Sequence, residues 1–340
     1  MLRDPGGAGS LAERRKLGAF QVPVAQRPPL NTNKEKNSRT IKRMSPPERF
    51  VDYFEFREKL YDSGCQTHVF SARCRNSCED VIVKMRSRKF AVGGEMVWRS
   101  LLNRMLNLEE NYHVLGLRDV IEDDDYYYLV MERCSGGELF DFLQTATDVP
   151  ERECKRIMRE ILQAVDHIHS QGLIHRDIKP ENIMFHDTTS DPSTPTTLQQ
   201  KKAVKLIDFD TCQEYEPASP KSQHIVGTIG YIAPEALKGD YSPASDLWSV
   251  GVILYILMTG DMPFSADIDI VADDPSDTRC GSAYSEDLYT RLKGAHIDFE
   301  CDPWPHFPQA KDLCQQLLAF SPGDRSPSAR AALSHPWLKG

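Results

Sequence analysis

The spacing of apolar residues changes period once along the chain, and no other feature limits the possible folds as much. From Tyr53 to about residue 133 the apolar residues fall in short runs, FREKLYDSG, HVFSARC, DVIVKM, VLGLRDVIED and YYYLVMER, which is the pattern of strands bounded by turn residues. After Gly137 a helical period takes over. The stretch ERECKRIMREILQAVDHIHSQG places Ile157, Ile161, Leu162, Val165 and Ile168 on one stripe and stops at Gly172. A chain of 340 residues is long enough for two bodies with separate cores. The expectation is an α+β protein with a strand-rich lobe at about 53–133 and a helical lobe at about 134–338. Two polar stretches rich in Pro and Ser, about 186–202 and 265–286, read as surface insertions.

Composition narrows the setting. The longest apolar run, VGVILYILM from Val250 to Met258, is too short to span a bilayer and reads as a buried helix. No charged leader followed by an apolar segment opens the chain, so a cytoplasmic or nuclear protein is expected, an organelle transit peptide being disfavoured by the early prolines. Nine cysteines without a CxxC pair fit a reducing compartment. Residues 1–50 carry 11 Lys/Arg against 4 Asp/Glu and show no sustained period, so they read as a disordered basic tail; the rest of the chain is net −16. Neither a nucleic-acid nor a membrane partner is expected, and the chain reads as a monomer.

AVKLIDFDTC, residues 203–212, is a strand-like run that ends at Asp208 and Asp210. Alone, it fits three chemistries: the nucleophile and acid/base pair of a haloacid-dehalogenase-type phosphatase, the metal site of a glycosyltransferase, or a kinase Asp-Phe-Gly whose glycine has become Asp210. Its surroundings decide between them. HRDIKPEN runs from His175 to Asn182, GTIGYIAPE from Gly227 to Glu235, and SDLWSVG from Ser245 to Gly251.

With these strings the chain resembles the eukaryotic Ser/Thr protein kinases over about Tyr53 to Leu338. GGELFDFL, preceded by Met131-Glu132-Arg133-Cys134, is similar to the calcium/calmodulin-dependent kinase group and to the calcium-dependent protein kinases within it. The resemblance implies a bilobal kinase fold, with a small antiparallel sheet and one helix in the N-lobe and a mainly helical C-lobe. It also implies ATP and Mg2+ as cofactors and protein hydroxyls as substrates. Asp177 then accepts the hydroxyl proton, Lys179 steadies the γ-phosphate, and Asn182 and Asp208 hold magnesium. Lys84 in VIVKM holds the α/β-phosphates, fifteen residues after the loop valine Val69. Gly64 belongs to the phosphate loop, Met131 is the gatekeeper, and Glu132, Cys134 and Glu138 line the nucleotide side. Glu138 and Glu181 also fall where basophilic members of the group grip arginines, so basic substrates are expected. Glu235 with Arg325, and Asp246, match structural positions.

Four departures stand beside these matches. G-x-G-x-x-G aligns with Asp62 to Thr67 and keeps only Gly64, and Asp62 brings negative charge to a site for an anionic nucleotide. The helix glutamate that should pair with Lys84 counts onto Leu101, with Glu95 the only acid nearby. His224 stands where a phosphothreonine is usual, which leaves Ser219 and Ser222 as substitutes and Arg176 without that phosphate. Asp210 replaces a glycine and is expected to tolerate positive φ with no nucleophilic role. An active kinase and a pseudokinase scaffold both remain open. These 340 residues hold no EF-hand string, so direct calcium control is not expected. KRMS, with Lys42 and Arg43 before Ser45, offers a tethered basic phosphoacceptor within the tail.

Overall fold

The protein is described from a computed structural model that covers residues 38–64, 66–90, 94–146, 148–187, 202–218, 220–222, 224–264 and 282–339. The described chain divides into two compact units. One holds 38–109 and 116–133, the other 110–115 and 134–339. The main division of the described chain falls between Arg133 and Cys134. Residues 110–115, expected in the first lobe, belong to the second, because Leu115 donates its N–H to the Leu206 carbonyl (2.9 Å) and Leu206 donates to His113 (2.8 Å).

The first unit is built on a six-stranded sheet. In chain order its strands are β1 (Lys42–Arg43), β2 (Phe54–Asp62), β3 (Thr67–Cys74), β4 (Asp80–Ser87), β5 (Leu117–Glu122) and β6 (Tyr126–Glu132); in space the order is β1-β5-β6-β4-β3-β2. The last five coincide with the five apolar runs. All their pairings are antiparallel, and only β1 lies parallel to its neighbour, β5. One face of the sheet buries Val81, Val83, Ile121, Tyr128 and Val130 with Phe50 and Phe54. Phe50, in the short helix α1 (Phe50–Tyr53), stacks on Tyr128 with ring centroids 4.3 Å apart. Helix α2 (Glu95–Leu106) buries Trp98, Leu101, Leu102, Met105 and Leu106, the i, i+3, i+4 spacing of a single apolar face.

The expected tail boundary at residue 50 is corrected by this unit. Residues 38–50 are part of the fold, with Ile41 and Met44 buried and β1 on the edge of the sheet. The basic residues that suggested a solvated tail have acidic partners: Lys42 meets Asp119 at 2.6 Å, and Arg43 pairs with Asp124. Ser45 is exposed, and its carbonyl closes a turn by accepting from Glu48 N (3.0 Å), so KRMS sits on the folded unit and not in a tail. Residues 1–37 lie outside the described residues.

The second unit is mainly helical. Its helices are α3 (Leu139–Thr145), α4 (Glu151–Ser170), α5 (Pro243–Thr259), α6 (Ser282–Gly294), α7 (Pro308–Leu317), α8 (Ala329–Leu333) and α9 (Pro336–Lys339). Two short antiparallel strand pairs accompany them: β7 (Leu173–Ile174) with β10 (Gln213–Glu214), and β8 (Ile183–Asp187) with β9 (Lys202–Leu206). All five residues of the expected α4 stripe are buried. The VGVILYILM run is the centre of α5, which starts on a Ser242 capping box followed by Pro243 and ends at Gly260 in the left-handed region. Gly251 lets α5 approach α7 closely, since a Cβ there would meet the Leu317 Cβ at 2.8 Å. Helix α9 is tied back to α4 by the Trp337 indole N–H donating to Glu151 (2.9 Å) and by Arg159 donating to the Leu338 carbonyl.

Both expected insertions shrink at their ends. His186, Asp187 and Lys202 are strand residues, and 282–286 are the first turns of α6. Residues 188–201 and 265–281 lie outside the described residues. Among the described residues no helix is long and apolar enough to cross a membrane.

Candidate active site

Two strands and one buried carboxylate hold the HRDIKPEN loop in the second unit. The loop leaves β7 at Ile174 and enters β8 at Ile183, and the fully buried Asp246 at the start of α5 fixes its first turn. Asp246 accepts from the backbone N–H of His175 and of Arg176 (both 2.9 Å) and sits 2.8 Å from His169 Nε2. Burial alone would raise its pKa; the His169 hydrogen bond and the nearby imidazoles outweigh that and hold the carboxyl below its ordinary value. Arg176 is consequently pinned at φ +70°, a conformation few side chains adopt.

Asp177 lies at the centre of a polar cluster. Its Oδ1 accepts from the Thr228 hydroxyl (2.7 Å), and the Lys179 ammonium stands 3.3 Å from Oδ2 and donates to that same hydroxyl (2.7 Å). Asn182 donates its Nδ2 to the Asp177 carbonyl (2.8 Å) and to Oδ2 (3.2 Å). The amide nitrogen is thereby used, and Asn182 Oδ1 is the atom left to face a cation. β8 and β9 carry Asn182 and Asp208 to the same end of their hairpin, where Ile207 donates its N–H to the Asn182 carbonyl (2.9 Å). Among the described residues no group of three or more His, Cys, Asp or Glu is arranged to hold a metal. An oxygen-only pair such as Asn182 and Asp208 fits Mg2+, a hard ion that keeps waters and shares its shell with substrate phosphates.

Residues 207–213 are laced to the same loop. His175 Nε2 lies 3.0 Å from the Ile207 carbonyl, the Phe209 ring meets the His175 ring edge to face at 5.0 Å, and Thr211 donates its hydroxyl to the His175 carbonyl (3.0 Å). The positive φ expected at Asp210 is found instead at Asp208, at +59°. Asp210 opens the turn that Cys212 closes by donating to the Phe209 carbonyl (3.1 Å), so nothing at 210 calls for glycine. Arg176 donates Nε to the Thr211 carbonyl and Nη1 to Gln213 Oε1, both at 2.6 Å, and lies over the Tyr241 ring at 5.2 Å. Tyr241 in turn donates to the Val226 carbonyl (2.8 Å) and accepts from Val226 N (2.7 Å). Ser222 hydrogen-bonds His224 through its hydroxyl, and Ser219 lies outside the described residues.

Glu181 has one carboxylate oxygen that is buried and without a hydrogen-bond partner among the described residues. Burial first, and then the Glu181 charge, push the nearby Tyr231 hydroxyl above its ordinary pKa. Glu138, half-buried, stands immediately before α3, which packs against the Pro180–Asn182 turn, so the structure brings the two glutamates to one neighbourhood. Cys134, also half-buried, begins the second unit's main segment. Glu235 and Arg325 form the expected buried pair, with both guanidinium nitrogens on the carboxylate at 2.6 and 2.7 Å.

In the first unit Lys84 is buried on β4, directly opposite Val69 of β3 and Leu129 of β6. Met131 and Glu132, half-buried, end β6, with Met131 facing Ile82. Gly64, at φ +73°, turns the chain between β2 and β3, and its N–H donates to Asp62 Oδ1 (2.9 Å). Asp62 is not a loose negative charge, because Lys59 bonds it and His68 Nδ1 lies 2.7 Å away; Lys59 foremost holds its carboxyl below the usual range. Leu101, onto which the helix glutamate counts, is buried on α2, and Glu95 is bound to Arg88 and to the Tyr127 hydroxyl. Cys65 lies outside the described residues.

Sequence reading gave no role to three residues of the second unit: Thr228, Gln213 and Tyr241. Thr228 stood inside a recognised string, whereas Gln213 and Tyr241 became visible only as partners of Arg176.

The sequence profile of the protein kinase domain matches residues 58–338. Similar proteins include calcium-dependent protein kinase 7 of Oryza sativa subsp. japonica, 36% identical over 69% of this chain and 38% of its own length. Calcium-dependent protein kinase 4 of Arabidopsis thaliana is 38% identical over 72% of this chain and 43% of its own length. Calcium-dependent protein kinase 11 of Arabidopsis thaliana is 37% identical over 72% and 44%. The chain thus spans about two fifths of the length of these curated relatives. With the catalytic-loop cluster, the buried Glu235–Arg325 pair and a profile match over most of its length, the chain belongs to the protein kinase domain family.

Proposed function

We propose that the chain is an ATP-dependent Ser/Thr protein kinase that favours substrates with basic residues near the acceptor. The observation that carries this reading is the Asp177 cluster, in which a carboxylate already holds a threonine hydroxyl at 2.7 Å and a lysine ammonium stands beside it. Phosphoryl transfer asks a protein for alignment and charge neutralisation more than for covalent chemistry. Asp177 supplies an acceptor for the substrate hydroxyl's proton, and Lys179 offsets charge on the transferred group. Asn182 and Asp208 would hold Mg2+, which when bound neutralises phosphate charge. Lys84 is the group for the α/β-phosphates, with Val69 opposite it in the sheet and Gly64 at the turn before it. Met131, Glu132 and Cys134 are assigned to the adenine side.

The basic preference rests on Glu181, whose buried carboxylate oxygen has no partner among the described residues and favours a guanidinium or ammonium donor. Glu138, on the neighbouring helix start, is assigned to the same task. Transfer of labelled phosphate from Mg-ATP to an Arg-containing serine peptide is the expected result, abolished by Asp177→Asn. A purified chain that binds ATP and transfers nothing would be a pseudokinase instead. On a peptide array, Glu181→Gln should flatten the preference for Arg about tenfold; a preference for acidic or proline-directed peptides would overturn the assignment.

A further inference from the structure

We propose that residues 38–44 form a strap that positions α2 for catalysis, gripping the helix at Asn107 and, through the buried Glu122, at Arg99. The first grip is a double hydrogen bond at the C-terminal end of α2. Arg39 donates its backbone N–H to Asn107 Oδ1 (2.7 Å), and Asn107 Nδ2 donates to the Arg39 carbonyl (2.8 Å). One side chain thus satisfies both backbone groups of a strap residue, as a neighbouring strand would.

The second grip is ionic. Glu122 ends β5, is 3% exposed, and is bonded by Arg99 from the middle of α2. Arg43 from the strap and Arg88 from beyond β4 each approach the same carboxylate to 3.9 Å. A buried carboxylate is tolerable only when it is paired. Glu122 therefore ties together three stretches that are distant in sequence. Arg43 is anchored from its other side by Asp124, and Ile41 and Met44 hold the strap in the core.

Where the family's helix glutamate is counted, this chain has Leu101, buried on α2. In kinases the position of that helix governs activity. Here Arg39 and Arg43, which precede the family match at 58, reach the helix through Asn107 and Glu122. A passive cover over apolar surface would need only Ile41 and Met44. It would not need Asn107 to bond the strap's backbone or Arg43 to approach Glu122.

The test uses the full chain with changes on the strap alone, leaving α2 native: Arg39→Pro, which removes the N–H that Asn107 accepts, Arg43→Gln, and both together. Amide hydrogen exchange over 95–106, KM for ATP, KM for a basic peptide, and Tm are measured. In the double variant α2 should exchange faster and the KM for ATP should rise about tenfold, with the peptide KM within about twofold. Arg43→Lys, which keeps a cation beside Glu122, should recover most of the loss. A lower Tm with unchanged α2 exchange and unchanged KM for ATP would show a structural cover only and overturn the proposal. If the double variant does not fold, Arg43→Gln decides on the same two readouts, since that side chain is half-exposed. The proposal rests on the kinase reading, and the failures are distinguishable: an inactive wild type sinks that reading, whereas α2 exchange tests the strap by itself.

Discussion

The second unit holds its charged groups the way the family pattern prescribes, and the first unit does so by its own means. Around Asp177 each matched residue bonds another: Asn182 to Asp177, Lys179 to Thr228, Asp246 to the loop backbone, Glu235 to Arg325. In the first unit the phosphate loop has one glycine of the pattern, and Leu101 stands where the helix glutamate is counted. Beside them stand an Asp62–Lys59–His68 cluster and a Glu122 carboxylate among three arginines. The difference separates two demands. Accepting a proton or holding a metal requires particular atoms at particular points, whereas fixing a helix or ordering a loop can be met by any paired charge in the right place.

The comparison implies unequal losses. Asp177→Asn should reduce kcat by about a thousandfold, the scale of a general base, with Tm little changed. A variant retaining a tenth of the rate would mean that the second unit's atoms are also replaceable, and the contrast would fail. Next in size, Asp246→Asn should lower unfolding stability by about 3 kcal/mol, because a buried acceptor of charge-assisted bonds loses its charge. The sign with pH follows from a folded pKa depressed below the ordinary value. The contribution is present above about pH 4 and lost as pH falls through the depressed value. Unfolding curves from pH 6 downward should show this acid limb in the wild type and a weaker one in Asp246→Asn.

Glu122→Ala should cost about 2 kcal/mol, below the usual figure for breaking a buried pair, since Arg99 and Arg43 are 39% and 46% exposed and can reach water. Denaturant titration checks it, and a cost under about 0.5 kcal/mol would make the cluster ornamental. Smallest of these, Asp210→Gly should leave the rate within about tenfold, because the positive φ lies at Asp208. A variant as inactive as Asp208→Ala would instead give Asp210 a part in the chemistry.

How much of this was legible follows the same divide. The buried stripe of α4 and the apolar run of α5 announce themselves by period, and the catalytic strings by identity at fixed spacing. β1 had no such signal, being two basic residues between Ile41 and Met44 in a stretch otherwise rich in charge and proline, with a partner strand about eighty residues away. Glu122 carries no signal of its own within VLGLRDVIED, because the arginines beside it come from other stretches of the chain. The positive φ lies at Asp208 and not at Asp210, so the position that differs from the family's glycine does not mark where this chain bends.

Arg176 bears on when the protein acts. Its guanidinium is occupied by the Thr211 carbonyl, by Gln213 and by the Tyr241 ring, all uncharged, and burial lowers its pKa. A phosphate arriving on Ser222 would have to displace satisfied bonds before gaining new ones. Among the described residues this corner is therefore ordered without a phosphate. Treatment with a phosphatase should leave the rate of freshly purified protein unchanged, and a fall of more than about threefold would contradict the neutral arrangement. At this corner the ordering that a phosphate would bring is supplied by neutral groups of the chain itself.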